Sequence, residues 1–303
     1  MATAIIRGTG SSGKGLIVDA PVEKIQAGFP ISRGQVFYKN TIFTKLANPA
    51  VASAGFCSGF TFSPDGNFLA IGHYTSPYLT IYKRSGDTFT KLANPATLPT
   101  DYCYTCAFSP DGNFLAIGHY TSPYLTIYKR SGDTFTKLAN PATLPTDYCY
   151  ACAFSPDGNY LAVGHNASPF ITIYKRSGDT FTKLANPATL PTGNGRGCAF
   201  SPDGKLLAVA HNTSPFVTIY KVEGDTFAKL LNPVNLPTGD ANVCAFSPDG
   251  KLLAVAYYYS PYILIYHVET KFSAVVNGVT GLYIALENGI ENSTVKANYI
   301  QTL

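Results

Sequence analysis

FSPDGNFLAIGHYTSPYLTIYKRSGDTFTKLANPATLPTDYCYTCA, residues 62 to 107, is followed at once by a second copy, residues 108 to 153, in which Ala151 replaces Thr105 as the only difference. Phe-Ser-Pro-Asp-Gly opens at Phe62, Phe108, Phe154, Phe200 and Phe246, a constant step of 46 residues. A fixed period of this size is the signature of a repeat architecture, and every other motif has to be read against it.

Each repeat reads as four short strands. In the second copy strand a ends at Cys106-Ala107-Phe108, and Ser109-Pro110-Asp111-Gly112 forms a turn in which Pro presets φ and Gly accepts positive φ. Strand b is Phe114 to Gly118, strand c Leu125 to Lys129, and the Ser131-Gly132-Asp133 turn leads to strand d, Phe135 to Leu138. Strands a and b are nearly continuous apolar runs, as expected of sheets covered on both faces by neighbours. Radially stacked four-stranded sheets make a β-propeller.

Phe-Thr-Lys-Leu occurs at Phe43, Phe89, Phe135 and Phe181, with Phe227-Ala228-Lys229-Leu230 as a fifth version, and the a, b and c runs also number five. The first d strand, Ile42 to Leu46, precedes the first a strand and would complete the last a-b-c set, Cys244 to Tyr266. The expected fold is therefore all-β: a five-bladed propeller over residues 41–270, its ring closed by shared strands so that no sheet edge is free. A six-bladed count, taking Val36 to Leu46 as strands c and d and two strands from 274–287, is the alternative. The flanks 1–40 and 271–303 read as two halves of one small β module. In it, Gln35 to Asn40 would pair with Lys271 to Val275, and the propeller is an insertion at that turn.

Composition bounds the function. Only 13% of the 303 residues are charged and the net charge is +4, with no run of like charges, which argues against nucleic acid as partner. No apolar stretch reaches the length of a membrane span and no secretory signal opens the chain, so no membrane partner is expected and assembly in the cytoplasm is. Gly8-Thr9-Gly10-Ser11-Ser12-Gly13-Lys14-Gly15 falls one residue short of a phosphate-binding loop, with Gly15 where a Mg²⁺-ligating Ser or Thr belongs, and reads as a flexible loop.

Cys103-Tyr104-Thr105-Cys106 and Cys149-Tyr150-Ala151-Cys152 look like two zinc knuckles, but their spacing is only the repeat period, and free buried thiols are expected. His73, His119, His165 and His211 share one repeat position, with Tyr257 at the fifth. One copy per blade cannot converge on a metal, no carboxylate stands beside each, and a loop histidine bonded to a neighbouring blade is the plain reading. No cofactor is implied. The b-to-c loops (His119 to Tyr124) and d-to-a loops (Asp147 to Tyr150) should share one face rich in Tyr, His and Asn, and these loops carry most of the variation between copies. Aromatic faces stack on sugar rings while hydroxyls and amides set orientation. The candidate ligand-binding residues are His73, Tyr74, Tyr102, Tyr104, His119, Tyr120, Tyr124, Tyr148, Tyr150, His165, Asn166, His211, Asn212, Tyr257 and Tyr258, acting as one weak site per blade. Solvated tyrosines that merely close the blades are the alternative.

The Phe-Ser-Pro-Asp-Gly turn, the Leu-Ala-Ile-Gly strand and the Leu-Thr-Ile-Tyr-Lys strand resemble WD-repeat propellers over residues 41–267. The chain has no Trp, and Tyr82-Lys83 and its equivalents stand where that family has Trp-Asp, so its internal hydrogen-bond tetrad does not carry over. The wording Tyr-Lys-Arg-Ser-Gly-Asp-Thr-Phe-Thr-Lys-Leu is similar to propeller arrays of bacteriophage and prophage structural proteins. The flanks, with Ala27-Gly28-Phe29-Pro30 and Ile284 to Gly289, resemble small β modules of phage virion proteins. The resemblance implies a non-enzymatic virion component assembled as a homo-oligomer. Its β module would contact other virion proteins, and its propeller would bind host-surface glycans. A decoration or spacer without ligand is the second expectation and a propeller hydrolase the third.

Overall fold

The computed structural model describes residues 44–269 and the backbone of 272–276 and 279–283. The chain divides after Lys45, and every sheet described here belongs to the unit that begins at Leu46. The first sheet comprises β1 (Cys57–Phe62), β2 (Phe68–His73), β3 (Leu79–Ser85) and β4 (Thr88–Lys91). The second comprises β5 (Cys103–Phe108), β6 (Phe114–His119), β7 (Leu125–Ser131) and β8 (Thr134–Lys137). The third comprises β9 (Cys149–Phe154), β10 (Tyr160–His165), β11 (Ile171–Ser177) and β12 (Thr180–Lys183). The fourth comprises β13 (Gly195–Phe200), β14 (Leu206–His211), β15 (Val217–Glu223) and β16 (Thr226–Lys229). The last has three strands, β17 (Ala241–Phe246), β18 (Leu252–Tyr257) and β19 (Ile263–His267). All are antiparallel meanders in sequence order.

Local chemistry explains the hairpins. In the turn after β5, the Ser109 hydroxyl donates to Asp111 and accepts the Phe114 amide at 2.9 Å, while the Asp111 carboxylate accepts the Asn113 amide at 3.0 Å. Gly112 sits at φ +67°, a conformation that favours glycine. The first repeat has the same turn, and there the Ser63 hydroxyl and the Asn67 amide hold the Asp65 carboxyl well below the usual carboxylate range.

Packing between sheets follows one rule. Phe68, Ala70, Leu79 and Ile81 of the first sheet pack against Cys103, Cys106, Phe108, Leu115, Ile117, Tyr128 and Phe135 of the second, and the same pattern recurs 46 residues on. Phe135 meets Phe68 edge-on at 5.8 Å, a favoured aromatic geometry. Arg130 lies over the Phe68 ring at 4.7 Å and reaches Asp65 at 3.2 Å, clamping the second sheet to the first; Arg176 repeats this on Phe114 and Asp111. First strands of successive sheets run side by side, from β1 through β5, β9 and β13 to β17.

A tyrosine in each third strand, buried in the first four sheets and half-buried in the last, ties down the linker that enters its blade. Tyr128 is fully buried and its hydroxyl donates to the Thr97 carbonyl at 2.9 Å; Tyr82, Tyr174, Tyr220 and Tyr266 reach Val51, Thr143, Thr189 and Asn235 in the same way. This bond occupies the position where the WD-repeat pattern would place Trp, and it does so with a donor that a phenol supplies.

One expectation meets a correction. Thr44 to Leu46 form no strand, so the closing fourth strand expected at Ile42 to Leu46 is not formed over them; Ile42 and Phe43 lie outside the described residues. β1 and β17 do not pack as neighbouring first strands do, and among the described residues the outer faces of the first and last sheets are exposed. Phe62 is 50% exposed where its equivalent Phe108 is 9%, and Ile265 is 62% exposed where Ile173 is 3%. Hairpins within a repeat are local, whereas closure needs pairing across the whole array. β20 (Phe272–Val276) and β21 (Val279–Tyr283) form a local hairpin; the expected pairing of Gln35 to Asn40 with Lys271 to Val275 falls on residues outside those described. Residues 35–40, the Gly8-to-Gly15 loop and the remainder of the flanking halves lie outside the described residues.

Two substitutions test this account. Tyr128→Phe removes the donor to the Thr97 carbonyl, which water can then reach, a loss of about 0.5–1.5 kcal/mol in urea denaturation; Tyr266→Phe, at the more exposed last sheet, should lose less. In β6, a Cβ on Gly118 would stand 2.7 Å from Thr105 Cγ2 and 2.9 Å from Cys149 Cβ, so Gly118→Ala should cost about 1–3 kcal/mol by overpacking.

Candidate functional site

The first and second strands of every blade pair out of step at one place. Cys103 pairs with His119 and Thr105 with Gly118, so Tyr104 is bulged out of the ladder. The same skip falls on Ser58, Tyr150, Arg196 and Asn242, one residue per blade at one repeat position. A bulge re-aims the side chain it carries. Because first strands stand side by side, all five bulged residues line a single open cleft of about 510 Å³, together with Phe56, Cys57 and Tyr74. That volume lies within the usual range for small-molecule sites, about 300–1,000 Å³.

The cleft has two unlike sides. Phe56, Tyr74, Tyr104 and Tyr150 make the aromatic side, with Tyr104 and Tyr150 centroids 5.6 Å apart and Tyr74 and Tyr104 5.8 Å apart. On the polar side Arg196 Nη1 donates to Asn242 Oδ1 at 2.9 Å and pairs with Asp240 Oδ2 at 3.1 Å. The Tyr150 hydroxyl donates to Tyr148 at 3.2 Å and lies 3.5 Å from Asn166 Oδ1, and burial raises its pKa above the ordinary tyrosine value. Asn166 donates to Asp147 at 3.0 Å and accepts from Asn194 at 2.7 Å, continuing the polar network into the fourth blade.

Outside the cleft the two loop sets do share a face. The Tyr120 amide donates to the Tyr102 carbonyl and the Asn166 amide to the Tyr148 carbonyl, joining a b-to-c loop to a d-to-a loop in each blade. A row of rings runs Phe56, Tyr74, Tyr102, Tyr120, Tyr148, with centroid steps of 5.4, 5.5, 6.1 and 4.9 Å and similar tilts. These rings lean on one another, so the row offers edges and hydroxyls to solvent. Tyr258 is exposed and stacks edge-on with Tyr259, while Asn212 accepts the Asn194 amide at 2.8 Å.

Several candidates from the sequence fall elsewhere. His73, His119, His165 and His211 end their second strands and are fully buried, so no ligand reaches them. Each turns Nε2 to the threonine of its own third strand, Thr80, Thr126, Thr172 or Thr218, at 3.0–3.1 Å, within the blade and not across to a neighbour. His73 Nδ1 donates to the Thr75 carbonyl at 2.7 Å, and its Nε2 therefore accepts the Thr80 hydroxyl. Tyr257 is buried too, and Tyr124, at φ +64°, packs against the seam between blades. The seven cysteines are free thiols; Cys103 and Cys106 are buried, and desolvation raises the pKa of both, to about 12 for Cys106. Instead of one weak site per blade, the geometry offers one shared cleft. Ser58, Arg196 and Asn242 were missed, although their position is the one at which Tyr104 and Tyr150 become Arg196 and then Asn242.

Burial pushes His119, His165 and His211 down to about 4 and lowers His73. Their folded-state values lie below the unfolded value near 6.5, so stability is full above that pH and is lost as pH falls toward 4, at up to about 1.4 kcal/mol per pH unit for each histidine. Urea midpoints measured from pH 7.5 to 4.5 should fall with a slope of several protons, and His165→Gln should make that slope shallower.

Comparison with known proteins bears on the fold. Residues 134–239 match the family model described as Lactonase, 7-bladed beta-propeller. No curated protein sequence matches the chain. Among solved structures, a candidate 6-phosphogluconolactonase from Bacteroides uniformis ATCC 8492 is 19% identical, with 78% of this chain and 72% of that one covered at a TM-score of 0.59. Kuenenia stuttgartiensis hydrazine synthase is also 19% identical, covering 70% of this chain and 72% of that one at 0.54. At this identity the likeness establishes the fold alone: the chain is a β-propeller, with five blades among its described residues.

Proposed function

We propose that this protein is a carbohydrate-binding propeller, carried as a structural component of a phage particle, whose cleft and adjoining tyrosine row recognise a glycan on the host surface. The observation that supports it is the convergence of five bulged residues on one cleft, aromatic on one side and hydrogen-bonding on the other. Pyranose rings have an apolar face that stacks on aromatic rings and a rim of hydroxyls that need paired donors and acceptors. Tyr104 and Tyr150 are the platform; Arg196 and Asn242 set orientation. The virion setting rests on the likeness of the repeat wording and the flanks to phage structural proteins, and the flanks are its proposed attachment to other virion proteins. Repetition of the chain on a particle would multiply a weak single-site affinity.

The partial match to the Lactonase family supports a second reading, hydrolysis of a sugar lactone in the same cleft. Binding is preferred because Arg196 is the one charged side chain lining the cleft, and no carboxylate among the described residues lines it to act as acid or base.

A glycan array probed with the full chain, beside Tyr104→Ala and Tyr150→Ala variants, tests the proposal. Saturable binding that drops at least tenfold in either folded variant is the expected result. Turnover of 6-phosphogluconolactone by the full chain would favour the hydrolase. Attachment to particles without binding to any glycan would leave a decoration or spacer.

A further inference from the structure

Among the described residues the one charged side chain lining the cleft, Arg196, is paired with Asp240 at the cleft's rim, and this narrows the class of sugar. Arg196 brings the guanidinium, and both of its recorded contacts, to Asn242 Oδ1 and to Asp240 Oδ2, fall on the one nitrogen Nη1. A strong donor and a strong acceptor thus stand side by side, with the Asn242 amide next to them. Neither partner is deeply buried: the Arg196 side chain is 30% exposed and that of Asp240 42%. Facing them are phenol and phenyl rings, which carry no charge, and burial pushes Tyr104 and Tyr150 further from ionisation.

Resting on the carbohydrate reading above, we infer that the cleft selects uncharged pyranosides through a pair of neighbouring hydroxyls, one donating to Asp240 and the other accepting from Arg196. Such a diol bridges the pair without breaking it. A uronic acid would have to compete with Asp240 for the guanidinium, and its carboxylate would then lie against the Asp240 carboxylate, a like-charge contact that acts as a selective penalty. The aromatic side is indifferent to this difference, since both sugars present similar ring faces. Specificity therefore resides in the fourth and fifth blades, and the stacking that gives affinity in the first three.

The test is an NMR titration of the full chain with methyl glucoside, galactoside and mannoside, each beside its uronic-acid counterpart, repeated with Asp240→Asn and Arg196→Lys. The wild-type chain should bind a neutral glycoside at least tenfold more tightly than its uronide. Asp240→Asn, which keeps an acceptor but removes the charge, should close that gap or reverse it. Arg196→Lys keeps the charge while losing the planar fork, and should weaken the neutral glycoside without improving the uronide. Equal or tighter uronide binding by the wild type, or an unchanged ratio in a folded Asp240→Asn, would overturn the inference while leaving carbohydrate binding intact. Failure of every glycoside to bind would overturn both.

Discussion

The structure depends on how closely the first strand of one sheet approaches the second strand of the sheet before it. At that seam Gly72 faces Cys103, Gly118 faces Cys149 and Gly164 faces Gly195, with almost no room for another carbon. In the fourth repeat the glycine becomes Ala210, and its partner is the small Ala241; both are fully buried. Small residues here let the inner strands stand side by side, and the wide third and fourth strands, with their Tyr and Phe side chains, fan outward. The same seam sets the spacing at which five bulged residues reach one cleft. A side chain too large at the seam would therefore spread the blades and open the site with them.

A second layer of constraint holds each blade to its own linker. The phenol of Tyr128 and its equivalents donates to a linker carbonyl, and Nε2 of each buried histidine pairs with a third-strand threonine, so these groups are partnered without Trp or a carboxylate, His211 Nδ1 being left without a partner among the described residues. Both devices are neutral. That agrees with a chain that is only 13% charged, whose ion pairs include the Arg-Asp and Lys-Asp contacts between neighbouring sheets, Lys221 with Glu223, and Arg196 with Asp240 at the cleft. It also explains why histidines that look available in sequence serve the scaffold: at the last position of a second strand each is buried and bonded to the threonine of its own third strand.

The inner blades and the outer ones meet different fates. Phe62, Ile263 and Ile265 occupy positions that are buried in the middle of the array and exposed at its ends. The repeat makes every blade alike in sequence, but a blade is covered only if a neighbour stands on both sides. The cleft is less sensitive to this, because it is lined by inner strands that already have partners in the described part of the chain.

The 46-residue period, the Ser-Pro-Asp-Gly turns and the apolar runs of strands a and b determined the meander, the number of repeats described and most strand positions, because these depend on local hydrogen bonds and on a hydrophobic pattern repeated without change. The shared face of the two loop sets was legible for the same reason, since loops at one end of antiparallel strands must lie together. The convergence of Ser58, Tyr104, Tyr150, Arg196 and Asn242 was decided only by tertiary structure. It needs a one-residue bulge, which leaves no mark in composition or period, and the close approach of inner strands, which is a property of packed sheets. Burial of His119 belongs to the same class: it turned on which surface the packed strands cover, and that is not encoded at the residue itself.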